Sequence, residues 1–301
     1  MTNELVLVTG AAGGAQGKTG RHVTELLRKK GVPVRAFVHK LDERSEYLSS
    51  LGAEMVAGDF LDYRSVERAV KGVSSIYFAY PVQPGLLEAT TIMADCARRA
   101  QVKRVIDMVM LVSTPDAPTP RMRQNYLSEQ IFEWAGVGAA HVRATVFFEQ
   151  IRMMMAATIA AQGMIMLPWG SENTVLPLVA GEDVARVAAG VLTSPQVKAG
   201  NSYPVIGQVI KLGDAIKTIS KVLGREIRYV EITDQQWHDG ALARGVNAHA
   251  VEHLVELWRT LRTNPRPFDK PDTIERFAGQ QPKTFETFVR EQQEVFRAKA
   301  A

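Results

Sequence analysis

The opening thirty or so residues constrain the fold most. Leu5-Val6-Leu7-Val8-Thr9 is a short, apolar, β-branched run bounded by Gly10, so it reads as a buried parallel strand. Glycines then crowd the chain at Gly10, Gly13, Gly14, Gly17 and Gly20. From Arg21 onward Val23, Leu26 and Leu27 recur at helical spacing, and Gly31 stands where a helix would stop. Strand, glycine-rich turn and helix in succession suit the binding of phosphate. Glycine lets the backbone approach the anion, and a helix N-terminus offers unpaired N–H groups at the positive end of its dipole.

Three spacings fit the turn. Gly10-x-x-Gly13 with a later Gly20 is a dinucleotide-binding pattern carrying four extra residues, Gly14 to Gly17. Gly14-x-x-Gly17-x-x-Gly20 has the same spacing without an insertion but starts further from the strand. Ala12-x-x-x-x-Gly17-Lys18-Thr19 matches a relaxed Walker A pattern, in which lysine reaches the β- and γ-phosphates and threonine a magnesium ion. A tight turn with no ligand is the plain alternative. The rest of the chain must decide between them.

Strands and helices go on alternating. Val34–Val38, Glu54–Val56, Val73–Ala79, Val102–Val112 and Ala140–Val146 read as further strands. Arg64–Val70, Leu86–Ala100 and Arg121–Ala135 read as helices between them. That alternation predicts an α/β fold with a doubly wound parallel sheet. Ligands of such sheets lie beyond the carboxyl ends of the strands. The loops there are Gly10 to Lys18, His39 to Arg44, Asp59-Phe60, Tyr80-Pro81, Ser113-Thr114 and Phe147-Phe148. The second strand ends in His39-Lys40 with Arg44 close behind, and the first acid is Asp42. A basic residue at that place accommodates the 2′-phosphate of NADP, whereas an acid would bind the 2′-hydroxyl of NAD. The spacing therefore favours NADP(H) over NAD(H). A solvated charged loop is the alternative reading of the same residues. Asp107 inside an apolar strand marks a bulge or a buried site. Cys96 lies on the apolar face of its helix and reads as core.

After Phe148 the regularity loosens. Glu149–Gln162 is a methionine-rich helix, Met164–Val179 is extended around a turn at Pro168-Trp169-Gly170, and Glu182–Leu192 is a helix. A strand at Asn201–Val205, a helix at Leu212–Leu223 and a strand at Ile227–Val230 follow. Helices near Ala248–Arg262 and Thr284–Arg297 complete the chain. Shorter elements with more Met and Trp predict a smaller C-terminal α+β cap over the crevice. The chain thus divides into 1–148, a nucleotide-binding domain, and 149–301, a substrate or cap region with segments free to return to the sheet.

Bulk properties exclude several classes. Lys and Arg number 18 and Asp and Glu 16 in each half, for a net charge of +4. No basic stripe is present, so direct nucleic-acid binding is not expected. No apolar run reaches membrane-spanning length, and the N-terminus lacks the pattern of a signal peptide, so a cytoplasmic location is expected. A single cysteine permits no internal disulfide. The histidines His22, His39, His141, His238, His249 and His253 are scattered. Only His249 and His253 share helical spacing, around Glu252, and without an HExxH pattern they read as a solvated or core-edge face. No metal site is expected.

The segments together resemble the NmrA-like group of atypical short-chain dehydrogenase/reductases. Thr9-Gly10-Ala11-Ala12-Gly13 with Lys18-Thr19-Gly20-Arg21-His22-Val23 is similar to the group's TGATGKTGRHV. Gly58-Asp59-Phe60-Leu61-Asp62 resembles its GDxxD, and Ala144-Thr145-Val146-Phe147-Phe148-Glu149 its LRPGFFMEN. Leu178 to Ala185, Leu223 to Val230 and Pro282 to Val289 resemble segments of its cap and terminal helix. The likeness covers nearly the whole chain and implies a Rossmann-type sheet.

By this resemblance Gly10, Ala12, Gly13, Gly17, Lys18, Thr19 and Gly20 hold the cofactor phosphates, and Asp59 and Phe60 sit at the adenine. Tyr80, Pro81, Phe147 and Phe148 flank the nicotinamide or the acceptor. Met153, Met154, Trp169 and Trp237 are candidates for the acceptor pocket, with plain core as the alternative. Ser113 falls where a catalytic serine stands in the wider family, and a turn-forming role is its alternative. Tyr126 heads Tyr126-Leu-Ser-Glu-Gln130, where catalytic members carry Tyr-x-x-x-Lys. Gln130 cannot lower a tyrosine's pKa as lysine does, so Tyr126 is either a catalytic candidate or a packing residue. An adenine-side Asp59 and a mid-strand Asp107 disfavour the Walker reading.

Two functions fit the resemblance. One is an NAD(P)H-dependent reductase, NADPH preferred, passing hydride to a small planar acceptor such as a quinone. The other is a catalytically silent NADP(H)-binding redox sensor that acts through a regulatory protein partner. A homo-oligomer is compatible with either. An isoflavone-reductase-like or epimerase-like enzyme would need a catalytic lysine that has no place in this sequence.

Overall fold

The computed structural model describes residues 4–14, 17–263 and 268–297. Its first half runs β1 (Val6–Thr9), α1 (Thr19–Lys29), β2 (Val34–Val38), α2 (Glu43–Ser50), β3 (Glu54–Ala57), α3 (Tyr63–Val70), β4 (Ser75–Phe78), α4 (Leu86–Arg99), β5 (Arg104–Met110), α5 (Pro120–Trp134) and β6 (Ala140–Ala144). The second runs β7 (Val146–Phe147), α6 (Phe148–Gln162), β8 (Met164–Leu167), β9 (Val175–Val179), α7 (Gly181–Thr193), β10 (Ser202–Val205), β11 (Gln208–Lys211), α8 (Leu212–Leu223), β12 (Arg228–Glu231), α9 (Asp234–Ala243), α10 (Ala248–Thr263), α11 (Thr273–Ala278), α12 (Phe285–Glu291) and α13 (Gln293–Phe296).

Seven strands form one parallel sheet in the order β10-β6-β5-β4-β1-β2-β3. Both faces are covered, which is why β1 and β4 are buried at every position and read as continuous apolar runs. On one face Val66, Ala69, Met93, Ala97 and Phe132 from α3, α4 and α5 pack on Leu7, Ile76 and Phe78. On the other, Val23 and Leu27 of α1 and Val184, Ala188 and Val191 of α7 pack on Val8, Tyr77 and Val142. Burying a leucine or valine side chain contributes roughly 1.5–3 kcal/mol, so these stripes orient the helices. Cys96 is 1% exposed in the first of these cores.

The chain re-enters the main sheet late: β10 pairs with β6, with Tyr203 opposite Val142. Around it, β7, β9 and β11 make a three-stranded sheet, and β8 and β12 a two-stranded one. These carry a separate core of Phe148, Ile151, Met155, Trp169, Trp258, Phe285 and Phe288. No helix among the described residues is long and apolar enough to cross a membrane.

Several elements differ from the sequence reading. Strand β5 stops at Met110, and the last strand of the first half is two: β6 ends at Ala144, and Val146-Phe147 turns to pair with Leu178-Val179. The Thr145 hydroxyl fixes that turn by donating to the Pro177 carbonyl at 2.8 Å. Helices α2, α9 and α11 and strand β11 have no counterpart in the reading. Only Ser45 and Leu48 are buried in α2 and only Trp237 and Ala241 in α9, too few to leave an apolar period. Both instead begin at capping boxes, Asp42 with Ser45 and Thr233 with Gln236. The terminal helix breaks at Gln292.

Candidate functional site

A cleft of about 680 Å³ opens over the carboxyl ends of β1, β2, β4, β5 and β6, and residues of α10 close its far side. Its geometry starts at Thr9. The Thr9 hydroxyl accepts from the Ala79 N–H at 2.8 Å and donates to the Ala79 carbonyl at 3.3 Å, deep in the protein. The ends of β1 and β4 are thereby locked in register, each bond contributing about 1 kcal/mol.

Gly10, Ala12, Gly13, Lys18, Thr19 and Gly20 all line the cleft. Helix α1 begins without a side-chain cap, and Lys18 before it adopts φ +48°. The first N–H groups of α1 are thus left without a side-chain acceptor, as an anion site needs. Gly20 is demanded by packing, because a Cβ there would lie 2.4 Å from the Thr9 carbonyl oxygen. Gly17 is placed otherwise. It does not line the cleft; a Cβ on it would sit 3.2 Å from the Phe147 ring, and its other neighbour is Gly181. The inserted residues Ala15 and Gln16 lie outside the described residues.

His39, Lys40 and Arg44 line the end of the cleft beyond β2. Arg44 pairs with Asp42, the cap of α2, and also donates to the Gly13 carbonyl at 3.4 Å. The Arg44 side chain holds the Asp42 carboxyl below the usual carboxylate range. Asp59 does not line the cleft. Its carboxylate accepts from the Leu61 N–H at 2.9 Å, a turn that presents Phe60 instead. Phe60 is held edge-on by Phe37, Phe78 and Tyr80 at 5.3, 5.8 and 5.4 Å between ring centres.

Tyr80, Pro81 and Phe147 line the other end, over β4, β5 and β6. Phe148 does not. It opens α6 and turns into the cap core against Phe285 and Phe288, at 5.4 and 5.3 Å. Ser113 is likewise off the cleft, buried with its hydroxyl unpartnered among the described residues. Helix α5 faces the cleft with Arg121, Met122 and Asn125, and Tyr126 is turned about 100° past Asn125. Of the methionines and tryptophans singled out for the acceptor pocket, Met153 lines the cleft, while Met154, Trp169 and Trp237 belong to the cap core.

Arg121 and His253 are among the cleft residues that the sequence reading did not assign to the site. Arg121 is 3% exposed and donates to the carbonyls of Tyr80 (3.0 Å), Pro81 (2.9 Å) and Gln83 (3.2 Å). Burial lowers its pKa to about 10, so it stays charged at neutral pH. No carboxylate pairs with it among the described residues. His253 is 4% exposed on α10 and shares a 3.0 Å hydrogen bond between Nδ1 and the Thr119 hydroxyl. Burial, then the charge of Arg121, pushes it down to about 3, so the ring is neutral. The signal for His253 was the stripe Ala250, His253, Leu254, Leu257 and Leu261, at helical spacing, all of which line the cleft. Lys18, Lys40, Arg44 and Arg121 line the cleft, and no Asp or Glu does among the described residues.

A curated relative, the NAD(P)H azoreductase of Xenophilus azovorans, is 26% identical over 295 residues, covering 98% of this chain and 100% of that protein. An NADPH-dependent quinone oxidoreductase of Escherichia coli, solved with NADPH, superposes with a TM-score of 0.82 at 18% identity, covering 96% of this chain and 99% of that one. The negative transcriptional regulator NmrA, solved with NADP, superposes with a TM-score of 0.79 at 16% identity, covering 97% and 95%. The model of the NmrA-like family matches residues 2–288, nearly the whole length, and the chain belongs to that family.

Proposed function

We propose that the protein is an NADPH-dependent reductase that passes hydride to a small planar acceptor such as a quinone. The observation that carries this reading is the composition of one continuous cleft. Its glycine-turn end has Lys18, Lys40, Arg44 (paired with Asp42) and an uncapped helix start, its far end is largely apolar, and no Asp or Glu lines it among the described residues. Those features fit a dinucleotide phosphate. Gly20, where a Cβ would meet the Thr9 and Gly10 carbonyls, fits the glycine that lets the helix of a dinucleotide-binding turn pack close on its strand.

A bound dihydronicotinamide would supply the hydride. The chain's part is to bind, orient and exclude water. Gly10 to Gly14 and the start of α1 would receive the pyrophosphate, and His39, Lys40 and Arg44 the 2′-phosphate. Phe60 would pack on the adenine. Tyr80, Pro81 and Phe147 would wall the reacting ring, with Met153, Leu254 and Leu257 keeping the acceptor side dry. Neither Tyr126 nor Ser113 reaches the cleft, and residue 130 is Gln. The reaction therefore has to proceed without a Tyr–Lys proton relay. A reduced quinone can take its proton from water, so quinone-like acceptors suit this site better than simple ketones.

The same missing relay favours a second reading, an NADP(H)-responsive regulator acting through a protein partner. Steady-state NADPH consumption across a panel of benzo- and naphthoquinones separates the two. The reductase reading expects acceptor-dependent consumption faster with NADPH than with NADH. Nucleotide binding without consumption supports the regulator.

A further inference from the structure

We propose that the far end of the cleft is built for an acceptor carrying an anionic oxygen, and that His253 and Arg121 are the residues that recognise it. This inference rests on the hydride-transfer reading for its name of the acceptor, but its physical basis is separate.

The tautomer of His253 follows from its partner. Thr119 is fully buried, and its Oγ accepts the Met122 N–H at 3.0 Å as the cap of α5. The threonine hydroxyl hydrogen then needs an acceptor of its own, and His253 Nδ1 at 3.0 Å is its partner among the described residues. A neutral ring that accepts at Nδ1 carries its proton on Nε2. Nε2 has no partner among the described residues, on a side chain that lines the cleft. An apolar wall of Ala250, Leu254 and Leu257 thus holds one fixed N–H donor.

Arg121 adds charge beside it. Its guanidinium is spent on three backbone carbonyls, which hold it in place but do not neutralise it. The acid whose charge would act on it, Asp107, is buried and pushed up to about 8, so it is mostly neutral at pH 7. In a low-dielectric site an uncompensated cation favours an anion and opposes another cation. The same pair would serve the reaction. Reduction of a quinone by a bound dihydronicotinamide would break one C–H bond of the cofactor, bond that hydrogen with its electron pair to the quinone, and leave oxidised nicotinamide and a hydroquinone monoanion. Water then supplies the second proton. The charge appears on the oxygen that His253 Nε2 and Arg121 would face.

The test needs no turnover. NADP⁺-loaded protein, and nucleotide-free protein in parallel, are titrated calorimetrically with one anthraquinone core carrying either a sulfonate or a quaternary ammonium group. The expected result is at least about tenfold tighter binding of the sulfonate. His253→Leu is expected to weaken the sulfonate about tenfold with NADPH affinity unchanged, and His253→Gln, which restores an N–H near the position of Nε2, to recover most of the loss. Equal affinities, tighter binding of the ammonium, no binding of either, or identical behaviour of the Leu and Gln variants would overturn the proposal. If quinones bind with this bias but are never reduced, the hydride-transfer reading falls while this assignment stands. Reduction without the bias does the reverse.

Discussion

Gly181 sits against Gly17: a Cβ on Gly181 would lie 1.9 Å from the Gly17 carbonyl oxygen. The first residue of α7 is thus pressed onto the inserted part of the glycine turn. Its N–H is held by the half-buried Glu149 carboxylate at 3.2 Å. Gly17 in turn abuts the Phe147 ring. Gly17 is therefore braced from behind by α7 and by Phe147, which also lines the cleft.

Gly181→Ala must push the turn or the helix away, since the obstruction is backbone. Overpacking of this kind costs about 1–3 kcal/mol. The variant is expected to melt several degrees lower and to bind NADPH at least about tenfold more weakly. Calorimetric melting and nucleotide titration check both. Unchanged binding in a destabilised variant would show that the turn does not depend on this contact.

Lys40→Ala with Arg44→Ala removes two cations from the end of the cleft assigned to the 2′-phosphate. Charge-assisted hydrogen bonds contribute roughly 1.5–3 kcal/mol each, less where exposed. Lys40 is exposed and Arg44 half-exposed. NADPH affinity is expected to fall about 10- to 100-fold and NADH affinity by less than about twofold. Fluorescence titration of both nucleotides decides it; an equal fall would remove the NADP(H) preference.

Asp107 makes a pH-dependent contribution to stability. It lies on β5, accepts from Ser128 at 2.9 Å, and is faced by Tyr77 on β4, Arg121 and Glu129 on α5, and His141 on β6. Burial pushes its carboxyl up to about 8, against about 4 in the unfolded chain. Between those values the folded state keeps a proton that the unfolded state has lost, so this group's contribution declines as pH rises and levels off above about 8. Asp107→Asn is expected to gain stability relative to the parent across that window, by up to a few kcal/mol. His141, whose pKa burial lowers, titrates in both proteins. Denaturant unfolding at several pH values checks the slope, and a difference independent of pH would contradict it.

Tyr126→Phe and Ser113→Ala are expected to leave quinone turnover within about twofold of the parent. Neither side chain lines the cleft, and a group engaged in proton transfer typically contributes 10²–10⁴-fold. A loss of that size in either variant would mean that the site reorganises on binding.

Much of this was legible in the residues because both helix and sheet periods survive in the first half. Strand β1, the turn at Gly10 to Gly20 and helix α1 were readable from Leu5 to Gly31, and so was the basic end of β2. Phe148 was misplaced because Phe147 ends a strand and Phe148 opens a helix, so the pair diverges by a geometry that adjacency hides. Asp59 carried the pattern of a ligand contact and serves as a turn-former. Arg121 and His253 were invisible as a pair: 132 positions apart in the chain, they come to one cleft because His253 of α10 bonds to Thr119, the cap of α5. The helices α2 and α9 rest on capping boxes rather than on an apolar face, a signal that Asp42 to Ser45 and Thr233 to Gln236 did contain.

Whether bound NADPH gives up its hydride to a quinone is decided by single-turnover mixing. Protein loaded with one equivalent of NADPH is mixed with a naphthoquinone, and dihydronicotinamide absorbance is followed in the stopped flow. The absorbance is expected to fall exponentially by one equivalent, at a rate that saturates with quinone and collapses in Gly181→Ala. A bound NADPH that keeps its absorbance at every quinone concentration would contradict the reductase and leave a nucleotide-binding regulator.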